Sequence, residues 1–337
     1  MSSGLQINDH GADPAPPPFQ ILCLSGGGYR GLYTAALLEE LEKKENAGKP
    51  LSQVFDLIAG TSIGGILAIG LAAGIPAKTL RESFEKNGNA IFPHFFAIHG
   101  HRVFPRLGTG MLRSKYDADG LRSTIEAVLG KDVTTLALEE LKTDVLIASV
   151  DVTNTGPKLF GVDGAGLATP LLDIALATSA APTYFPEHRI DENIYVDGGL
   201  IANAPDVIAL MHSLHLDPSA RIQMLSIGTV GELGGQAARP ANRRGWLLGA
   251  KGLVDLTLAA QEKLSIKLTE NFLGQNYIRL DARPSPEQQK AIGLDRTDQK
   301  ATDTLKILAR QTADEGLTKH QAKLRAMLNR TSRQYRS

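Results

Sequence analysis

Apolar and polar positions divide this chain into two kinds of segment. Short, wholly apolar runs end in glycine or proline, and longer runs repeat every three to four residues. Phe19 to Leu24 is the first short run and reads as a buried strand. Leu32 to Lys44 follows as a helix, with Leu37, Leu38 and Leu41 on one side and Gly48-Lys49-Pro50 closing it. Val54 to Ala59 is a second buried strand. Ile63 to Ala73 is an apolar helix stopped by Gly74 and Pro76, and a further helix spans Ala77 to Asn87. Strand, helix, strand, helix in this order predicts an α/β fold, a three-layer α/β/α sandwich with a mostly parallel central sheet.

The rhythm breaks over Ala90 to Lys115. Phe92, Phe95, Phe96 and Phe104 are interleaved there with His94, His99, His101, Arg102, Arg106 and Arg113. Rings among cations suit a membrane-facing lid, and equally a packed surface loop. Beyond it, helices are predicted over Asp119 to Leu129, Pro170 to Ala180, Pro205 to Leu214, Trp246 to Leu273 and Thr302 to Leu328. Strands are predicted over Val145 to Val152, Asn193 to Val196 and Ile222 to Ile227. Gly231 to Arg244 reads as a mobile loop. The expected organisation is a flexible, proline-rich tail over 1–18 and one domain over 19–337. That domain has a motif-bearing core over 19–228 and a helical part over 245–330.

Composition narrows the classes. With 36 basic and 36 acidic residues the formal charge is zero, so no footprint for a nucleic-acid polymer is expected. Cys23 is the one cysteine, which rules out an intrachain disulfide and a cysteine metal site; it reads as a small buried apolar residue. The first residues lack the basic start and apolar middle of a signal peptide, and no apolar run is long enough to span a bilayer. The expectation is a cytoplasmic protein that reaches any lipid substrate from the inner face of the membrane.

Three glycine-rich pieces carry candidate chemistry. Gly60-Thr61-Ser62-Ile63-Gly64 places a serine between a strand and an apolar helix, with glycines two residues away on each side that permit a sharp elbow. The helix start would favour developing negative charge at Ser62. By itself the pattern also arises by chance in glycine-rich turns. Asp197-Gly198-Gly199 follows a short strand, and on its own an ordinary turn explains it. A serine hydroxyl needs a base, and histidine is the usual one. Of the eight histidines only His188, after a proline turn, is tempting, and none sits in a strongly constrained turn as Asp197 does. The third piece, Gly26-Gly27-Gly28-Tyr29-Arg30-Gly31, also satisfies the G-x-G-x-x-G dinucleotide fingerprint through Gly26, Gly28 and Gly31. Against a dinucleotide-binding redox module, Asp56 lies at the wrong end of the second strand, and Arg30 sits inside the loop. The absence of Gly-Lys-Ser/Thr excludes a P-loop. The same N–H groups can hold an oxyanion, with Arg30 holding the loop or a substrate phosphate.

In this order the three motifs resemble the patatin-like phospholipase family, whose pattern is a Gly-Gly-Gly-x-Arg/Lys-Gly loop, a Gly-x-Ser-x-Gly elbow and an Asp-Gly-Gly/Ala turn. The resemblance covers Phe19 to Gly228 and includes Thr178-Ser179-Ala180-Ala181-Pro182-Thr183-Tyr184-Phe185-Pro186. Ser25 is a departure, since plant members tend to carry aspartate there. The resemblance implies Ser62 as nucleophile, Asp197 as base, and an oxyanion hole from the N–H groups of Gly27, Gly28 and Tyr29. It implies fatty acyl esters of membrane phospholipids as substrate and no metal or organic cofactor. The whole chain is also similar to bacterial patatin-like effectors of cyclic-oligonucleotide anti-phage signalling, which stay idle until a cyclic dinucleotide binds. That implies a cyclic dinucleotide activator, and a homo-oligomer is expected. Arg239, Arg243 and Arg244 near Trp246 could grip its phosphates and stack on a base, although a solvated basic loop explains them as well. A lipid acyl hydrolase without nucleotide gating is the alternative within the family.

Overall fold

The computed structural model describes residues 16–45, 49–91, 116–230 and 249–332. The eight strands among them are β1 Phe19–Leu24, β2 Leu57–Thr61, β3 Asp144–Asp151, β4 Gly156–Phe160, β5 His188–Ile190, β6 Asn193–Asp197, β7 Ile222–Ile227 and β8 Tyr277–Leu280. The first helices are α1 Gly31–Glu45, α2 Ile63–Ala72, α3 Ala77–Ile91, α4 Ala118–Leu129, α5 Lys131–Thr134 and α6 Leu171–Ser179. They are followed by α7 Gly199–Ala202, α8 Asp206–Leu216, α9 Gly249–Leu273, α10 Pro286–Ala291 and α11 Gln299–Leu328.

All eight strands belong to one sheet, in the order β5-β6-β3-β2-β1-β7-β8, with β4 also paired to β3. Neighbours among β1, β2, β3, β7 and β8 pair in parallel, while β4 and β6 run antiparallel to β3. The central strands β1, β2 and β3 are largely buried on both faces, as a covered parallel sheet requires. Leu22, Leu24, Ile58, Val145, Ile147, Leu225 and Ile227 join a core with residues of α1, α2, α3, α4, α6 and α11. Their alternates Ile21, Cys23, Leu57, Ala59, Leu146 and Met224 join a second core with Ala209 and Leu210 of α8. Ile266 and Leu273 of α9 pack against that second core. The expected three-layer arrangement is thus present. Cys23 is buried with its Sγ 3.7 Å from Met224 Sδ, and burial pushes its thiol well above its usual pKa.

β2 begins three residues later than the apolar pattern predicts. Leu51 to Gln53 form a 3₁₀ turn, and the N–H groups of Val54 and Phe55 both donate to the Leu51 carbonyl, which removes them from the sheet. The pattern gave no signal for β4, β5 or β8. β4 is broken by Pro157, β5 has three residues, and β8 carries Arg279 between apolar neighbours. Residues 1–15 of the proline-rich start, the aromatic and basic loop over 92–115 and the 231–244 segment lie outside the described residues, as do Arg239, Arg243, Arg244 and Trp246.

Asp56 ties the base of the sheet to the end of the chain. Its buried carboxylate accepts from the Gln20 N–H at 2.7 Å, from Arg330 Nη2 at 2.8 Å and from the Ser332 hydroxyl at 3.0 Å. Arg330→Ala strands this charge, and urea unfolding should show a loss of about 3 kcal/mol. Adding Asp56→Asn to that variant should recover part of the loss, because the stranded charge is then gone.

Candidate active site

Ser62 forms the turn between β2 and α2, with φ 55° and ψ −127°. This left-handed conformation costs a non-glycine residue on the order of 1–3 kcal/mol and needs its surroundings to enforce it. The enforcement is visible. Its N–H donates to Thr178 Oγ1 at 2.9 Å, and that hydroxyl donates to the Ala148 carbonyl at 2.6 Å. Its carbonyl accepts from the Gly65 and Ile66 N–H groups of α2. The flanking glycines are required by space. A Cβ on Gly60 would stand 2.3 Å from the Gly64 carbonyl oxygen, and one on Gly64 would stand 2.2 Å from that of Leu24. Thr61 donates to the Ala202 carbonyl, and Ile63 fills the space beside Gly31.

Asp197 reaches Ser62 through the register of β3. β2 pairs with β3 up to Thr61 opposite Ala148, and β6 pairs with it from Asp197 opposite Ser149. β4 occupies the other edge of β3 across both points. β6 therefore takes over the edge that β2 leaves, and the two segments meet where one ends and the other begins. Gly198 is needed at the junction, because its Cβ would lie 2.1 Å from the Ala148 carbonyl oxygen.

The Asp197 carboxylate is almost wholly buried. It accepts the Gly199 N–H at 2.7 Å and a hydrogen bond from the Ser62 side chain. Burial raises its pKa to about 6, against the lowering effect of those two hydrogen bonds. No cation among the described residues contributes to this balance, and the carboxylate keeps there a basicity that an ion pair would remove. His188, the one tempting histidine, instead places Nε2 3.0 Å from Asp173 Oδ1.

The glycine loop lies beside Ser62: a Cβ on Gly26 would be 3.3 Å from Ser62 Cβ and 2.4 Å from Asn203 Oδ1. Gly27 abuts Thr229, and Gly28, at φ +57°, abuts the Leu294 carbonyl. Most of the loop's donors are already engaged. Gly26 donates to the Asn203 carbonyl, Tyr29 to Leu294 and Arg30 to Gly27. Gly31 donates back to Gly28 and Tyr29. The N–H groups of Gly27 and Gly28 have no acceptor among the described residues. Of the donors expected at Gly27, Gly28 and Tyr29, the Tyr29 N–H is taken by the Leu294 carbonyl at 2.8 Å, which leaves the two glycines as candidates. Arg30 braces the loop, with Nε 3.3 Å from the Gly27 carbonyl and Nη1 3.4 Å from that of Val230.

Beneath the loop lies a polar network without a motif. Arg279 Nη1 donates to Ser25 Oγ at 2.9 Å and to Ser226 Oγ at 2.8 Å, and Nη2 stands 3.1 Å from both Glu262 and Asp281. Glu262 accepts from Asn203 Nδ2 at 2.7 Å. Burial opposes the charge on Arg279, but Asp281, Asp206 and Glu262 together raise its pKa above the usual arginine range. Gln261 of α9 also donates to the Gly199 carbonyl at 2.7 Å. The signal available in the sequence was a lone arginine inside the apolar stretch Tyr277-Ile278-Arg279-Leu280.

Residues 22–210 match the patatin family model, described as patatin-like phospholipase. A cGAMP-activated phospholipase of Pseudomonas aeruginosa is 38% identical over 319 residues, covering 89% of this chain and 90% of that one. One from Vibrio cholerae is 35% identical, covering 92% and 96%, and one from Escherichia coli is 32% identical, covering 90% and 91%.

The raised Asp197 pKa has a consequence for stability. The carboxyl binds its proton more tightly folded, at about 6, than unfolded, at 3.8. The native state therefore loses stability as pH rises from about 4 to about 6, by about 3 kcal/mol in all. Asp197→Asn removes this dependence. Its melting temperature should exceed that of the parent at pH 8, and the gap should narrow as pH falls to 4.

Proposed function

This chain belongs to the patatin-like phospholipase family and is a lipid ester hydrolase, and from that premise we propose a Ser62–Asp197 dyad acting on fatty acyl esters of phospholipids. The observation that carries the reading is the Ser62 side chain hydrogen-bonded to a buried carboxylate whose pKa is raised to about 6 and which meets no cation among the described residues. Ser62 Oγ attacks the ester carbonyl carbon while its proton passes to Asp197. The carbonyl oxygen becomes an oxyanion, received by the N–H groups of Gly27 and Gly28 and favoured by the start of α2. Collapse of this intermediate breaks the ester bond, and the leaving lysolipid oxygen takes the proton from Asp197. Water, deprotonated by Asp197, then attacks the acyl-enzyme, and the proton returns to Ser62 as the fatty acid departs.

The second part of the proposal is gating by a cyclic dinucleotide, supported by three relatives that carry cGAMP activation in their names and align along nine-tenths of the chain. The substrate is a membrane component, and an enzyme that meets it inside the cell must be held off until needed. No helix among the described residues is long and apolar enough to cross a membrane, so the enzyme would act from one side. A redox role for Gly26 to Gly31 finds no support: each glycine of that loop faces protein atoms that account for it.

Fatty acid release from phospholipid vesicles tests the catalytic reading. Ser62→Ala should lower it on the order of 10⁶-fold with the fold retained by circular dichroism. The parent kcat/KM should rise through pH about 6, as Asp197 loses its proton, and level off above it. cGAMP should raise the rate of the parent enzyme; an equal rate with and without it would leave the dyad standing and remove the gating.

A further inference from the structure

A cleft of about 430 Å³ opens between β8, the segment that follows it, and α11. β8 is the edge strand of the parallel run, so this cleft lies at the same carboxyl end of the sheet as the Ser62 elbow. In open α/β sheets that end is where ligands bind. The volume falls within the range of small-molecule sites, about 300–1,000 Å³.

The lining has a specific charge pattern. Arg283 and Lys319 stand on its walls, and Lys319 makes no ion pair among the described residues. Glu315 and His320 lie on the same helix, and Arg279 and Asp281 on the β8 side. α11 leaves helical geometry at His320, with φ −123° and ψ 21°, so the wall bends where it meets the cleft. Burial, then Lys319 and Lys323, lower the His320 pKa and favour its neutral ring. Cations beside a carboxylate fit a ligand that is itself mixed: phosphates for Arg283 and Lys319, and a base edge with N–H donors for Glu315. Guanine has such an edge, with N1–H and the exocyclic amine side by side. A free phosphate would use the cations and meet only repulsion from Glu315.

The β8 side of this cleft is shared with the catalytic loop. Asp281 accepts the Val230 N–H at 2.9 Å, and its carboxylate crowds Gly228 so closely that a Cβ there would lie 1.8 Å from Oδ2. Asp281 also pairs with Arg279, which donates to Ser25, the residue before Gly26. Arg279 further holds Glu262, which holds Asn203, whose carbonyl takes the Gly26 N–H. Two hydrogen-bonded routes therefore lead from one cleft to the oxyanion loop. We infer that this cleft binds the activating guanine-containing cyclic dinucleotide and acts on Gly26 to Gly28 through Asp281 and Arg279. This rests on the nucleotide gating proposed above.

The test is cGAMP binding by isothermal titration calorimetry to the full chain carrying Ser62→Ala, so that the readout is independent of turnover. Arg283→Glu combined with Lys319→Glu should weaken binding at least about tenfold, the effect of losing charge-assisted hydrogen bonds. Both positions are exposed, and the melting temperature checks that the fold is kept. Glu315→Gln should weaken cGAMP several-fold while leaving cyclic di-AMP, which lacks guanine, unchanged. Inorganic phosphate and a free phospholipid headgroup should compete poorly. Asp281→Asn in the active enzyme should still bind cGAMP but lose most of the stimulation. Unchanged affinity in the double charge reversal overturns the cleft. A parent chain that releases fatty acid but binds no cGAMP overturns the cleft and the gating together and leaves the dyad. Binding lost in the charge reversal, with no fatty acid released by the parent, keeps the cleft and removes the hydrolase reading.

Discussion

Two segments far apart in the chain meet because β3 changes partner along one edge. β2 leaves β3 at Ala148 to turn at Ser62, and β6 arrives at Ser149 with Asp197. With β4 filling its opposite edge, β3 offers β6 no other edge to join. The spacing of the two side chains is then set by backbone pairing rather than by loop conformations. Thr178 adds a fixed strut at the same junction, since its hydroxyl joins the Ser62 N–H to the Ala148 carbonyl. Everything else at the site is arranged around this handover, including the glycines that must be small where backbones cross it.

The junction is costly to the fold, and the costs coincide with the chemistry. Ser62 is held at a positive φ, which exposes its oxygen at the head of α2. Asp197 is buried with no cation beside it among the described residues, which disfavours its ionised form yet makes that form a stronger base. An arginine beside it would stabilise the protein and lower the pKa, at the expense of the proton transfer proposed for it. Stability and reactivity pull in opposite directions at the same carboxylate. The two wholly apolar cores on either side of the sheet carry that deficit.

What could be read from the chain follows the range of the forces involved. β1, α2 and α8 were legible because their patterns are local and the sheet is covered on both faces. The elbow and the Asp-Gly-Gly turn were legible because glycine is demanded by contacts that any chain of this fold makes. The start of β2 was misplaced since a 3₁₀ turn competes locally for Val54 and Phe55. β8 was invisible because a half-buried arginine breaks an apolar run, and its partners Ser25, Glu262 and Asp281 are scattered along the sequence. The pKa of Asp197 could not be read at all, being a property of what surrounds it. Tyr29 illustrates the same limit: its motif position suggests a free donor, and only the fold shows Leu294 taking it.

That last contact points to how the site is built as a whole. The proposed nucleophile and base, with their turns, come from the motif-bearing part of the chain, but the glycine loop proposed to hold the oxyanion is braced largely from outside it. Leu294 takes the Tyr29 N–H and crowds Gly28, Thr229 crowds Gly27 and donates to the Gly26 carbonyl, and Arg279 holds Ser25. A small shift of β8 or α9 would therefore reorient the Gly27 and Gly28 donors while leaving the Ser62–Asp197 pair intact. Loss of one such donor is worth about 10²–10³ in rate. Under the proposed mechanism the most sensitive catalytic element rests on the least motif-like residues, and control of the reaction is most economically placed there.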